Sequence, residues 1–142
     1  MKTNQAGIDL IKRFEGCKLE AYRCPAGVLT IGYGTTRGVY EGMKITESIA
    51  EKMLTDDLEA IETRLSSFNL KVNENQFSAL VSFIYNLGFG NFLNSTLFGK
   101  IKNNPKDISI KLEFERWVKA GGKILPGLVK RRAAEWGLFN ST

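Results

Sequence analysis

The stretch Phe14-Glu15-Gly16-Cys17-Lys18-Leu19-Glu20-Ala21-Tyr22-Arg23-Cys24-Pro25-Ala26-Gly27-Val28-Leu29-Thr30-Ile31-Gly32-Tyr33-Gly34 decides the fold, because the residue pattern changes inside it. On its N-terminal side, Met1 to Glu15 reads as a helix. Ile8, Ile11 and Phe14, flanked by Leu10, share a face, Thr3 or Asn4 can cap the start, and Gly16 is a stop signal. Glu15 therefore falls in the last turn. On the other side, from Ala21 to Tyr40, the strand formers Val28, Thr30, Ile31 and Tyr33 are punctuated by Pro25, Gly27, Gly32, Gly34 and Gly38. That pattern predicts a small, turn-rich antiparallel sheet, too short to stand without helices behind it.

Everything beyond this sheet reads as helical. Thr46 can cap a long helix with Ile49, Met53, Leu54, Leu58, Ile61 and Leu65 on one face and charges on the other. Asn73 and Gln76 form a capping-box start for a helix using Phe77, Leu80, Val81, Ile84 and Leu87, ended by Gly88. Shorter helices are expected over Ser95 to Lys102 and Asp107 to Ala120, and a last one from Pro126 to about Phe139. The fold class is α+β, with the sheet segregated from a helical bundle. We expect one domain over 1–142, with a sheet lobe at about 16–45, a connecting helix at about 46–65, and a helical lobe at about 66–142 that includes helix one.

Composition narrows the chemistry. The chain has 142 residues and a formal net charge of +5, so an anionic partner is favoured; nucleic acid, anionic lipid and peptidoglycan all qualify. There is no histidine, which excludes a Ser-His-Asp triad, a Cys-His pair and histidine acid–base chemistry. Two cysteines, Cys17 and Cys24, are too few for a disulfide scaffold, and their spacing suits neither a zinc ribbon nor a redox pair. No metal and no cofactor are expected. A nucleic-acid binder, suggested by the charge and by Lys130-Arg131-Arg132, lacks a helix-turn-helix signature or an exposed aromatic sheet. The first residues carry Lys2, Asp9, Lys12 and Arg13 and lack the apolar run of a signal peptide, and no stretch reads as a membrane span.

Glu15 stands where a cleft between the two lobes would open, the default place for a site. A carboxylate at a helix C-terminus meets the negative end of the dipole, and apolar cover from Phe14 or the sheet adds to that. Both favour the protonated form that a general acid needs. A lone glutamate in a terminal turn is more often a solvated residue. Its company decides the matter. Phe14-Glu15-Gly16, Ala21-Tyr22 and Gly27-x-x-Thr30-Ile31-Gly32-Tyr33-Gly34 resemble the phage-type lysozymes, the muramidases with which many phages lyse their hosts. The likeness runs on through Phe83 to Gly88, Ser95-Thr96-Leu97, Phe114-x-x-Trp117, Ala120-Gly121-Gly122-Lys123, Pro126-Gly127-Leu128, Arg131-Arg132 and Glu135.

The resemblance implies a lysozyme-like fold and hydrolysis of the β-1,4 bond between N-acetylmuramic acid and N-acetylglucosamine. It places the catalytic glutamate on Glu15 and the catalytic threonine on Thr30. The usual aspartate falls on Cys24, and the histidine that many members keep after Tyr-Gly is Thr35. Glu15 would protonate the leaving oxygen while a water held between Cys24 and Thr30 attacks the sugar with inversion. A thiolate can keep both the charge and the acceptor role, or attack the sugar itself. Tyr33 reads as a sugar-stacking platform or as sheet packing. Arg131 and Arg132 read as substrate-binding residues, as a support for Glu15, or as a basic face for the anionic wall. The alternatives are an inactive wall-binding relative, motivated by Cys24, and a toxin-type lysozyme. The expected setting is a monomer kept in the host cytoplasm until a holin releases it to the periplasm, with no nucleic acid and no stable membrane association. Cys17 and Cys24 read as two free thiols or as a disulfide switch that would silence the site.

Overall fold

The computed structural model describes residues 1–141. Its elements follow from local chemistry that the sequence largely announces. Helix α1 (Gln5–Glu15) starts where the Asn4 side chain accepts the Gly7 N–H, and it ends where the Gly16 N–H donates to the Lys12 carbonyl at 2.9 Å. Strands β1 (Lys18–Arg23) and β2 (Leu29–Gly32) pair antiparallel, with Tyr22 opposite Thr30. The strand thus begins at Lys18, three residues before the expected Ala21, and most of the segment after Gly34 is turn rather than strand. Helix α2 (Glu47–Ser66) is capped by the Thr46 hydroxyl. Helix α3 (Glu74–Leu87) carries the full capping box: Asn73 Oδ1 accepts the Gln76 N–H at 2.8 Å, and Gln76 Oε1 accepts the Asn73 N–H at 2.9 Å.

Helix α3 is the axis of the molecule. Every residue from Phe77 to Ile84 is buried, so neighbours must cover it on all sides. Phe83 at its centre meets Phe92, Phe114 and Trp117 edge-on, with ring centroids 5.8–6.1 Å apart. Those partners come from α4 (Phe89–Leu93), α6 (Ile110–Glu115) and the segment after α6, while α5 (Thr96–Asn103) adds Leu97 and Ile101 to the same core. Helix α1 lies close on α3 because Gly7 faces Ser78; a Cβ at Gly7 would stand 2.7 Å from that of Ser78. This close seat fixes the height at which Glu15 ends α1. Helix α2 packs against both β2 and α3 and so joins sheet to bundle, as its amphipathic pattern requires.

Two expectations need correction. The helix expected over Asp107 to Ala120 spans only Ile110–Glu115, and a second hairpin, β3 (Lys119–Ala120) with β4 (Lys123–Ile124), follows it. Gly121 and Gly122 both have positive φ, 58° and 78°, the conformation that a two-residue hairpin turn demands and that a helix excludes. The region after the first sheet is therefore not wholly helical. The last helix, α7 (Pro126–Phe139), starts at Pro126 as expected.

Candidate active site

Glu15 reaches out from the end of α1 into an open cavity of about 330 Å³, lined also by Phe14, Asn86, Leu125, Gly127, Leu128 and Arg131. Its carboxylate is gripped at one oxygen: Arg131 Nη1 donates to Oε2 at 2.6 Å, across 116 residues of chain. The other oxygen faces the loop after β2. A Cβ on Gly34 would stand 2.9 Å from Glu15 Oε1 and 3.4 Å from the Tyr85 hydroxyl, so only a glycine lets the sheet pass this close. Gly34 also holds φ +93°, which a side chain would strain. The Tyr85 hydroxyl donates to the Tyr33 carbonyl at 2.5 Å and pins that loop. Burial first, then the charges of Glu15 and Asp57, push the Tyr85 phenol up, so it stays a proton donor. The sequence supplies a helix end and apolar cover around Glu15; the structure adds a cation in direct contact.

Arg131 and Arg132 are not a basic face. Both are buried, Arg132 completely, and they converge on Glu135, which has no exposed side-chain surface. Arg132 Nε lies 2.8 Å from Glu135 Oε1, an ion pair whose N–H is not well aligned as a hydrogen bond. Its Nη2 donates to Asn86 Oδ1 at 2.6 Å, and its guanidinium sits over the Phe83 ring. Arg132 therefore has no surface left for a glycan, and its expected role as a substrate-binding residue is withdrawn. Of the three readings, the geometry of Arg131 fits support for Glu15, which it contacts with a side chain only 4% exposed.

Cys24 and Thr30 form a second cluster, on the hairpin. Neither lines the Glu15 cavity. The chain turns between β1 and β2 so that the Cys24 N–H donates to the Val28 carbonyl and the Gly27 N–H to the Cys24 carbonyl. The thiol lies at the mouth of this turn by the Val28 and Ala26 backbone and the Thr30 hydroxyl, and these polar neighbours, the Val28 backbone foremost, lower it below its usual range. The Thr30 hydroxyl donates to the Val28 carbonyl at 2.9 Å, which fixes its orientation and leaves its lone pairs as acceptors. An aspartate at position 24 would meet the same backbone; such a turn is a ready seat for any short anionic side chain.

Tyr33 fits packing rather than sugar stacking. Its ring is half-buried against the core with Lys12 Nζ 5.4 Å from its centroid, and its phenol lies by Cys17 and Glu51. Burial, with the nearby Cys17 and Glu51, pushes that phenol up. Cys17 and Cys24 are both free, and the whole of β1 separates them. Seven steps of extended chain span on the order of 20 Å, against a limit of about 7 Å for bridged α-carbons. The disulfide switch is excluded by this geometry. Among the described residues no cluster of His, Cys, Asp and Glu is arranged to hold a metal ion, and no helix is long and apolar enough to cross a membrane. The sequence singles out Glu135 only as a matching position, and does not single out Ser82, Asn86 or Tyr85 for the site. The signal for Glu135 was its i,i+3 and i,i+4 spacing to Arg132 and Arg131.

A small sheet, a long joining helix and a bundle around one buried helix make a lysozyme-like fold, and solved structures agree. The muramidase domain of SpmX from Asticaccaulis excentricus superposes with a TM-score of 0.91 at 32% identity, covering 99% of each chain. A mutant of P22 lysozyme gives 0.84 at 34% identity, again over 99% of each. Among curated proteins, the endolysin of Bacillus phage PZA is 45% identical over 99% of this chain, which spans 56% of that relative's length. The endolysin of Acyrthosiphon pisum secondary endosymbiont phage 1 is 41% identical over 99% of both. The phage lysozyme family model matches residues 12–135. The chain belongs to the phage lysozyme family.

Proposed function

We propose that this protein is a muramidase that hydrolyses the β-1,4 bond between N-acetylmuramic acid and N-acetylglucosamine in peptidoglycan, for lysis of a bacterial host. The observation that carries it is a glutamate at an open cavity, held through one oxygen by a buried arginine. A general acid needs that combination of access and fixed geometry. Family membership and the endolysin names of the relatives point the same way.

In the reaction, Glu15 gives its proton to the glycosidic oxygen as the bond from that oxygen to the anomeric carbon breaks. A water forms the new bond to the anomeric carbon from the opposite face, and its proton passes to Cys24 or to solvent. Thr30 and the Cys24 sulfur serve as the acceptors that hold this water. The hairpin supports this pairing: the thiol is lowered by its polar neighbours and stands beside the Thr30 hydroxyl. The net charge of +5 draws the protein to the anionic wall.

The test is product chemistry on outer-membrane-permeabilised cells. Turbidity should fall, and after borohydride reduction the new chain ends should be reduced muramic acid. Reduced glucosamine ends, or clearing without new reducing ends, would replace this reading with a glucosaminidase or a peptide-cutting enzyme. Binding without clearing would make the chain an inactive relative. We propose further that the protein is a monomer, held in the host cytoplasm until a holin opens the membrane and then active in the periplasm. Induced cells should stay intact until chloroform is added; prompt lysis on induction alone would contradict that setting.

A further inference from the structure

The proposed mechanism uses Glu15 and the hairpin but gives no task to the most completely buried charges in the molecule. Glu135 has no exposed side-chain surface, yet natural chains rarely bury a carboxylate without a reason. From its own helix α7, Arg131 Nε lies 3.4 Å from Oε2, Arg132 Nη2 3.3 Å from Oε2 and Arg132 Nε 2.8 Å from Oε1. From α3, the Ser82 hydroxyl donates to Oε2 at 2.6 Å. Ser82 then turns back on Arg131: Nη2 reaches both the Ser82 carbonyl, at 3.3 Å, and its hydroxyl, at 3.4 Å. With Nε and Nη2 both taken, Arg131 has one nitrogen to spare, Nη1, and that is the one on Glu15.

We infer that Glu135 and Ser82 are positioning residues for the acid: together they fix the Arg131 guanidinium so that Nη1 alone meets Glu15, and Glu135 offsets the charge that Arg131 would otherwise bring to it. This rests on Glu15 as the proton donor. The charge count explains why an offset is needed. A general acid must carry its proton when substrate arrives, and a bare guanidinium at 2.6 Å favours the carboxylate instead. Without Glu135, Arg131 and Arg132 would both stand behind Glu15 with no buried counter-charge. Burial pushes the Glu135 carboxyl up, while two guanidiniums and a hydroxyl donor in contact favour its charged form. The other groups facing Glu15 are the Tyr85 phenol from α3 and the Gly34 backbone from the sheet, both uncharged in the working range; Arg13, on its own helix, lies over Phe14. Asn86 Oδ1 accepts from Arg132 Nη2, the nitrogen that also lies 3.3 Å from Glu135 Oε2, and so helps to fix the second guanidinium beside Glu135.

The experiment compares Glu135→Gln and Ser82→Ala with wild type and with Glu15→Gln, reading kcat, KM on soluble glycan strands, the pH–rate profile and the melting temperature. Glu135→Gln keeps shape and loses charge. Its kcat should fall by about tenfold with KM within twofold, and the alkaline limb of its profile should move to lower pH, since the lost counter-charge leaves both arginines uncompensated behind the acid. Ser82→Ala should lower kcat several-fold, again with KM held, in a folded protein; it carries the test if Glu135→Gln does not fold. A purely structural role would lower the melting temperature and leave the kcat and limb of the folded fraction unmoved, and that result overturns the proposal. If Glu15→Gln is inactive while both other variants keep wild-type kcat and limb, positioning by Glu135 fails and the acid assignment survives. If Glu15→Gln is itself fully active, both fall.

Discussion

The two clusters of candidate site residues are built on opposite principles. The side that holds Glu15 is made of buried side chains from three helices, α1, α3 and α7, that meet only in the folded protein. The side that holds Cys24 is a five-residue turn closed by its own backbone hydrogen bonds, with the thiol beside the Val28 and Ala26 backbone. The first depends on side-chain identity at every link, because an unpaired buried charge is costly. The second depends on backbone shape, so the residue on it can change. On that contrast, a cysteine can stand at position 24, where the resemblance to the family implies an aspartate, while Glu15 depends on its arginine.

The comparison can be broken from either side. The largest effect is expected at Glu15: Glu15→Gln should fold normally and lose about 10²-fold or more of its clearing rate on permeabilised cells. Next comes the knot behind it. Arg132→Met strips Glu135 of one of its two cations, and should cost about 3 kcal/mol in denaturant unfolding. If Arg132→Met unfolds at the wild-type midpoint, the acid side is not held by its buried charges.

The turn should behave in reverse, with activity lost and stability kept. Cys24→Ala should lose most of the activity without a measurable fall in melting temperature, while Cys24→Asp keeps a substantial share. Iodoacetamide should inactivate the wild type, with protection by a substrate analogue. The lowered thiol means that thiolate is present at lower pH than in a free cysteine, so alkylation should already be fast there. Equal activity of Cys24→Ala and wild type would return the residue to a passive role. The smallest effect belongs to Cys17. Because β1 keeps the two sulfurs apart, oxidant should form no internal disulfide, and Cys17→Ser should match wild type with or without dithiothreitol. A diamide-induced Cys17–Cys24 bond seen by mass spectrometry would mean that β1 opens.

What could be read in the sequence follows the same division. Asn4, Thr46 and the Asn73–Gln76 box cap the helices where the spacing puts them, since a cap is a contact within four residues. The hairpin with Thr30 was legible from its strand formers and glycines. The second hairpin was not, because two-residue strands have no periodicity and only the Gly121-Gly122 pair marks them. Arg131, Arg132 and Glu135 are the clearest case of illegibility. Three charges within five residues look like a solvated helix face, and only Ser82 and Asn86, some fifty residues earlier on α3, make them a core. The polar groups around Cys24 were hidden for a different reason: most belong to the backbone of the turn, and no residue type names them.

The central claim is a division of labour, with Glu15 giving the proton and the Cys24–Thr30 hairpin holding the attacking water. Proton NMR of the sugar anomers, recorded in the first minutes of digestion of a soluble glycan strand, tests it directly. Inversion predicts that the α-anomer of N-acetylmuramic acid appears first and then mutarotates. If the β-anomer appears first, the sugar has passed through a covalent bond to the protein, and the hairpin supplies a nucleophile rather than a water.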